Sequence, residues 1–282
     1  MDIQTIAVIG AGTMGSGIAQ AAATSGLDVT IIDIGEPLLA KARDAIGRNL
    51  DRVVGKGKMS AGDKEAAVRR ITTSVEYAAV RRADLAIEAA TENLEVKTRI
   101  LKQIDALIGP EAIIASNTSS ISITKLAAAV SHPERFVGMH FFNPVPVMAL
   151  VEIVHGLQTS DATHGAIAAL CAKLGKTPIT TKSSPGFVVN RLLCPMINEA
   201  FFVLGQDGVT AEDVDTGMKL GCNHPIGPLA LADLVGLDVL LSVMETLHEE
   251  FGDSKYRPAP LLREMVAAGH LGRKTGRGVY RY

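Results

Sequence analysis

The stretch Ile6-Ala-Val-Ile-Gly10-Ala-Gly12-Thr-Met-Gly15 decides the fold. A short β-rich apolar run meets a G-x-G-x-x-G turn, and Met14 to Ser25 beyond it is small and helix-compatible. In that setting each glycine has its own steric reason. Gly10 permits a tight turn, Gly12 lets a pyrophosphate approach the backbone, and Gly15 lets the helix pack closely on the strand. The unpaired N–H groups at the helix start then face the phosphates. Ala11, Thr13 and Met14 complete the candidate dinucleotide-binding turn. A second strand, Val29-Thr-Ile-Ile-Asp33, ends on a carboxylate placed to take the adenosine ribose hydroxyls. Asp33 also selects the cofactor. A carboxylate repels a 2′-phosphate, and Ile34-Gly35-Glu36 offers no base to offset it, so the expected cofactor is NAD rather than NADP.

Outward from this turn, short apolar runs alternate with helical stretches. Leu85–Glu88, Ala112–Ala115, Phe136–Met139, Leu150–Val154 and Pro178–Thr181 are strand candidates. Leu38 to about Val54 and Leu94 to Ile108 have helical spacing, the latter ended by Gly109-Pro110. Continuous apolar runs joined by helices describe buried parallel strands. The fold class is therefore α/β, a Rossmann-type, doubly wound, mostly parallel sheet. After Ser183-Ser-Pro-Gly186 the pattern changes: Phe187–Gly205, Ala211–Leu220 and Leu229–Phe251 read as helices, with no strand until the last few residues. Thr210 and Asp213 match a helix N-cap pattern. Two domains follow, residues 1–184 and an all-helical 185–282.

Composition narrows the function classes. At 282 residues with 47% hydrophobic and 21% charged residues, the chain can bury a sizeable core, and disorder is a poor description. A formal net charge of −2 argues against a globally basic nucleic-acid binder. Cys171, Cys194 and Cys222 are widely spaced, with no C-x-x-C, which disfavours a disulfide framework and a zinc site; no metal is expected. The expected setting is a reducing cytoplasm, without a secretory signal or a membrane span.

Catalytic groups in doubly wound sheets gather at the carboxyl ends of the strands. Three polar clusters fall there: Ser116-Asn-Thr-Ser119-Ser, His140-Phe-Phe-Asn143-Pro-Val, and Glu152 within the run Leu150–Val154. A fourth polar residue, Asn190, opens the first helix of the second domain in Pro185-Gly-Phe-Val-Val-Asn190-Arg. Each has a plainer explanation. The serines and Asn117 could cap a helix, and a lone histidine is most often a satisfied core residue. A buried Glu152, however, requires a partner.

Taken together the motifs resemble those of the L-3-hydroxyacyl-CoA dehydrogenase family, and among its members the bacterial 3-hydroxybutyryl-CoA dehydrogenases. The matching segments are Gly10–Gly15 with Asp33, Glu88-Ala-Ala-Thr-Glu92-Asn, Ala115-Ser-Asn-Thr-Ser119-Ser, His140-Phe-Phe-Asn-Pro-Val-Pro, Pro185-Gly-Phe-Val-Val-Asn190-Arg and Gly272-Arg-Lys274-Thr-Gly-Arg-Gly, in family order across nearly the whole chain. The resemblance implies an NAD-dependent oxidation of a 3-hydroxyacyl thioester. His140 would be the general base, with Glu152 fixing its tautomer. Ser119 and Asn190 would hydrogen-bond the substrate oxygen and carbonyl. Glu92, Lys97, Ser119, Asn143 and Lys274 match positions that contact NAD.

The segment 41–70 carries nine basic against four acidic residues, a local excess of +5. Most of this is an ordinary solvated helix face. Coenzyme A, however, bears a 3′-phosphate and a pyrophosphate that need a basic partner. The family grips it on the helical arm after Asp33, which implies substrate CoA contacts at Asn49 and Lys56, with Ser119 also on the substrate. It further implies a homodimer through the helical domain. Two rivals stand beside this reading: a related dehydrogenase of a free hydroxy or sugar acid, and a non-catalytic, crystallin-like NAD-binding protein. The basic arm argues against the first, and the presence of Ser119, His140, Glu152 and Asn190 together argues against the second.

Overall fold

In a computed structural model describing residues 1–282, the apolar run Thr5–Ile9 forms β1. α1 (Thr13–Thr24), β2 (Asp28–Ile32), α2 (Glu36–Gly55), α3 (Ala61–Arg69) and β3 (Ile71–Ser74) follow. The chain then returns to the middle of the sheet as β4 (Leu85–Glu88), α4 (Leu94–Asp105), β5 (Ile113–Ser116), α5 (Ile123–Ala127) and β6 (Phe136–Phe141). β7 (Leu150–His155), α6 (Asp161–Lys173) and β8 (Thr177–Lys182) complete this part. The eight strands pair in the order β3-β2-β1-β4-β5-β6-β7-β8. All pairings are parallel except β6 with β7. The direction of winding reverses between β1 and β4, which creates a crevice beyond the carboxyl ends of those strands.

Strand composition explains the core. Val8, Ile31, Ile87, Ala115, Val137 and Ile153 are all fully buried in one continuous hydrophobic cluster, as expected of a sheet covered on both faces. The doubly wound class is therefore observed, with several local departures. β3 and α3 occupy residues 61–74, where no element was expected. His140 lies inside β6 rather than beyond it, because that strand runs on to Phe141.

The chain divides into two compact units, Met1–Ser184 and Pro185–Tyr282. The second contains α7 (Val189–Leu204), α8 (Ala211–Gly221), α9 (Pro228–Val235), α10 (Leu237–Phe251) and α11 (Pro260–Ala267) around its own core of Ile197, Phe201, Leu229, Leu240, Met244 and Leu262. Thr210 does cap α8, through a reciprocal capping box with Asp213. The stretch Leu229–Phe251, expected as one helix, is two. Gly236 interrupts it at φ +107°, a conformation that favours glycine. The expected strand near the C-terminus is reduced to isolated bridges, Gly272 with Arg277 and Arg277 with Arg281.

Candidate active site

The glycines of the first turn behave as their spacing implies. Gly10 has φ +110°, and a Cβ there would lie 2.7 Å from the Ala89 carbonyl oxygen. A Cβ on Gly15 would lie 1.8 Å from the Gly10 carbonyl oxygen, so α1 can approach β1 only with glycine at this position. Around Gly12, by contrast, nothing lies within 4 Å of an added Cβ. Gly12 is also the N-cap of α1, and no side chain caps the helix. Open space in front of an uncapped helix start is a cradle for a pyrophosphate. A cavity of about 500 Å³ extends from it, lined by Gly10, Gly12, Asp33, Ile34, Leu38 and Tyr77 among others. Asp33 accepts hydrogen bonds from the backbone N–H of Ala11 at 2.6 Å and of Ile34 at 2.7 Å, which fixes its carboxylate at the cavity wall. The donor set and the space fit a dinucleotide.

His140 and Glu152 meet through backbone register. They are directly opposite each other in the antiparallel β6–β7 pairing, and His140 Nδ1–H donates to Glu152 Oε2 at 2.5 Å. Glu152 is fully buried and His140 is 6% exposed. A carboxylate on Nδ1 makes Nε2 the basic nitrogen of the ring. The Phe142 ring packs against the imidazole, with centroids 4.5 Å apart.

The loop after β5 is organised by Glu92. Its Oε1 accepts from the Thr118 hydroxyl at 2.7 Å, and from the N–H and hydroxyl of both Ser119 and Ser120 at 2.8 to 3.0 Å. Burial pushes the Glu92 carboxyl up, but the Lys97 charge and these hydrogen bonds outweigh it and hold the group below the usual carboxylate range. Asn117 caps no helix. Its Oδ1 accepts from the Phe141 N–H at 2.9 Å, tying this loop to β6 next to His140. Helix α5 is capped instead by Ser122.

Lys97, expected against the cofactor, turns its ammonium into the interior. It lies 2.6 Å from Glu88 Oε2 and 3.7 Å from Glu92 Oε2. Asn143 is exposed and precedes Pro144 through a cis peptide bond. Asn49 and Lys56 are exposed seven residues apart, Asn49 on α2 and Lys56 at its C-cap; that spacing puts them on one face two turns apart. In the second unit, Asn190 is half-buried in the first turn of α7. Lys274 Nζ donates to both carboxylate oxygens of Asp238, at 2.6 and 2.7 Å. Burial pushes the Asp238 carboxyl up, yet the Lys274 hydrogen bond and charge bring it below the usual range.

Three further contributors leave little trace of their role in the sequence. Glu88 ends a strand and belongs to a motif, but nothing local pairs it with Lys97 and Ser116. Tyr77 lines the cavity from a 3-10 turn that has no distinctive pattern. Lys176 donates to the carbonyls of Val145 at 2.5 Å and Met148 at 2.6 Å, pinning the loop that joins His140 to Glu152.

Known proteins resemble this chain in sequence and in fold. Residues 5–184 match the family model described as 3-hydroxyacyl-CoA dehydrogenase, NAD binding domain, and residues 186–282 match the C-terminal domain of the same family. The chain is 50% identical over 280 residues to a 3-hydroxybutyryl-CoA dehydrogenase of Bradyrhizobium diazoefficiens, covering 99% of this chain and 96% of that protein. It is 48% identical over 282 residues to a probable 3-hydroxybutyryl-CoA dehydrogenase of Bacillus subtilis, covering 100% and 98%. A crystal structure of (S)-3-hydroxybutyryl-CoA dehydrogenase from Ralstonia eutropha superposes with a TM-score of 0.97 at 62% identity, covering 100% of this chain and 99% of that one. With both domain models matched in order and full-length relatives near half identity, the chain belongs to the 3-hydroxyacyl-CoA dehydrogenase family.

Proposed function

We propose that this chain is an NAD-dependent (S)-3-hydroxyacyl-CoA dehydrogenase that interconverts 3-hydroxybutyryl-CoA and acetoacetyl-CoA. One observation carries the proposal: the carboxyl edge of the parallel strands bears both a dinucleotide-type glycine turn and a buried His140–Glu152 pair. NAD, when bound, supplies the acceptor for the hydride on the carbinol carbon. Gly10, Gly12 and Asp33 would hold its adenosine and pyrophosphate portion. Nε2 of His140 takes the hydroxyl proton, and Glu152 stabilises the imidazolium that results. Ser119 and Asn190 hydrogen-bond the substrate oxygen and carbonyl. Ser119 has one proton: placed on Glu92 it leaves the hydroxyl an acceptor, and turned away it makes the hydroxyl a donor.

Asn49 and Lys56 present the amide and ammonium that would meet the phosphates of coenzyme A. A homodimer through the second unit and a cytoplasmic setting complete the proposal. The three cysteines are free thiols, consistent with a reducing compartment, and no helix is long and apolar enough to cross a membrane.

The test is NADH oxidation with acetoacetyl-CoA and with free acetoacetate, each repeated with NADPH. The thioester with NADH should be the preferred combination. Equal turnover of the free acid would remove the acyl-CoA assignment, and equal use of NADPH would remove the role given to Asp33. Lys56→Glu should raise the acyl-CoA KM while leaving NADH affinity unchanged.

A further inference from the structure

Glu88 has no part in the reaction above, yet it is a fully buried carboxylate with three hydrogen-bond donors. It is the last residue of β4, directly opposite Ser116, the last residue of β5. Both are fully buried. Glu88 Oε1 accepts from the Ala90 N–H at 2.9 Å. Its Oε2 accepts from Lys97 Nζ at 2.6 Å and from the Ser116 hydroxyl at 2.7 Å. We propose that Glu88 is a positioning residue: with Ser116 it anchors the Lys97 ammonium, and Lys97 in turn fixes the Glu92 carboxylate that holds Ser119 and Ser120.

The geometry divides the labour between the two oxygens of Glu92. Oε1 takes the donors of residues 118–120, while Oε2 faces the ammonium at 3.7 Å. That longer distance depends on Glu88, which holds Lys97 a full 1.1 Å closer to itself. Without the Glu88 charge, Glu92 becomes the nearest anion for an ammonium that is only 1% exposed. The two would then close into a direct pair, since a buried charge needs a counter-ion. Glu92 would be drawn toward α4 and away from Ser119. Glu88 also accepts from Ala90 in the β4–α4 loop and from Ser116 at the end of β5, so one side chain ties both segments that carry Glu92 and Ser119.

A purely structural role makes a different forecast. If the Glu88–Lys97 pair only holds α4 against the sheet, an uncharged replacement of both residues should serve as well, because buried ion pairs are often replaceable by apolar groups. If the pair positions Glu92, that replacement leaves the catalytic loop unsupported.

The proposal rests on the dehydrogenase reading, and the wild-type enzyme is its control: failure of the wild type to reduce acetoacetyl-CoA would strike that reading, not this one. The variants are Glu88→Gln, Lys97→Met and the double variant. They are compared by thermal midpoint, NADH Kd from fluorescence titration, and kcat and KM for acetoacetyl-CoA. Each single variant should lose stability and at least about tenfold in kcat/KM. The double variant should regain most of the lost thermal midpoint. It should bind NADH within about threefold of wild type, and still be at least about tenfold down, chiefly in kcat. Recovery of activity together with stability, an equal loss of NADH affinity, or a double variant that does not fold each overturns the proposal, because the pair then serves the fold or the cofactor alone.

Discussion

His140 and Glu152 stand directly opposite each other across the one antiparallel pairing of an otherwise parallel sheet. The reversal matters for the chemistry. It brings a histidine near the end of β6 and a glutamate near the start of β7 onto the same face of adjacent strands. A slip of one residue in that register would send one side chain to the other face. Because the pair acts as a unit, His140→Gln should lower turnover about 10²–10⁴-fold with NADH affinity kept. Glu152→Gln should also be slow, since an amide can donate to Nδ1 and select the wrong tautomer. The double variant should be little worse than His140→Gln alone. Steady-state kinetics with NADH titration measures all three, and near-normal turnover of His140→Gln would reject it as the base.

The glycines of the first turn should separate folding from binding. An alanine at position 15 places its Cβ 1.8 Å from a backbone oxygen, which no flexible side chain can relieve. The expected cost is about 1–3 kcal/mol or more, seen as a fall of about 2–4 °C in thermal midpoint for each kcal/mol. An alanine at position 12 meets nothing in the protein and should leave the thermal midpoint unchanged. Its methyl enters the space assigned to the pyrophosphate, so NADH Kd should rise at least about tenfold. Unchanged NADH binding by Gly12→Ala would move the cofactor elsewhere.

A pH dependence unrelated to catalysis is expected from His155. This residue ends β7, its ring packs on His164 with centroids 4.7 Å apart, and its Nε2 is buried without a hydrogen-bond partner. Burial first, and the neighbouring His164 second, lower its pKa from the usual 6.5. The unfolded chain therefore takes up the proton first as pH falls through about 6.5, and stability drops until the folded-state pKa has been passed. Calorimetry between pH 7.5 and 5 should show a falling thermal midpoint in the wild type and a flatter profile in His155→Phe. Equal slopes would place the titration on another group.

How much of this was legible in the sequence depends on the range of the interaction. The turn from Gly10 to Gly15 and the carboxylate at Asp33 could be read directly, because local sterics and charge dictate them. The His140–Glu152 contact could not. Twelve residues separate them, and only the antiparallel return of β7 brings them together, so residue patterns alone left a lone histidine and an acid in need of a partner. β3 gives only a weak signal because Ile71-Thr-Thr-Ser74 is four residues long and mostly polar, directly after Arg69-Arg70. The break at Gly236 was hidden by apolar residues on both sides, which keep helical spacing through a backbone that turns away. The partnership of Glu88 with Lys97 and Ser116 joins three elements and leaves no periodic trace.

Assembly is open to a direct test. The second unit has a core of its own, yet Leu192 and Leu220 remain 70% and 82% exposed. Leu234, Val235 and Val239 are about half exposed around the break between α9 and α10. Apolar groups of this size, spread over four helices of one small unit, are costly to leave in water at about 25 cal/mol per Å². A two-fold pair would cover them on both copies at once. Light scattering at micromolar concentration should give twice the chain mass of 29.7 kDa. Replacing Leu220 and Val235 by glutamate should shift the mass toward a single chain, because neither residue lies in the helical core. A wild-type mass of one chain with full acetoacetyl-CoA activity would refute the dimer and require these side chains to be tolerated in solvent.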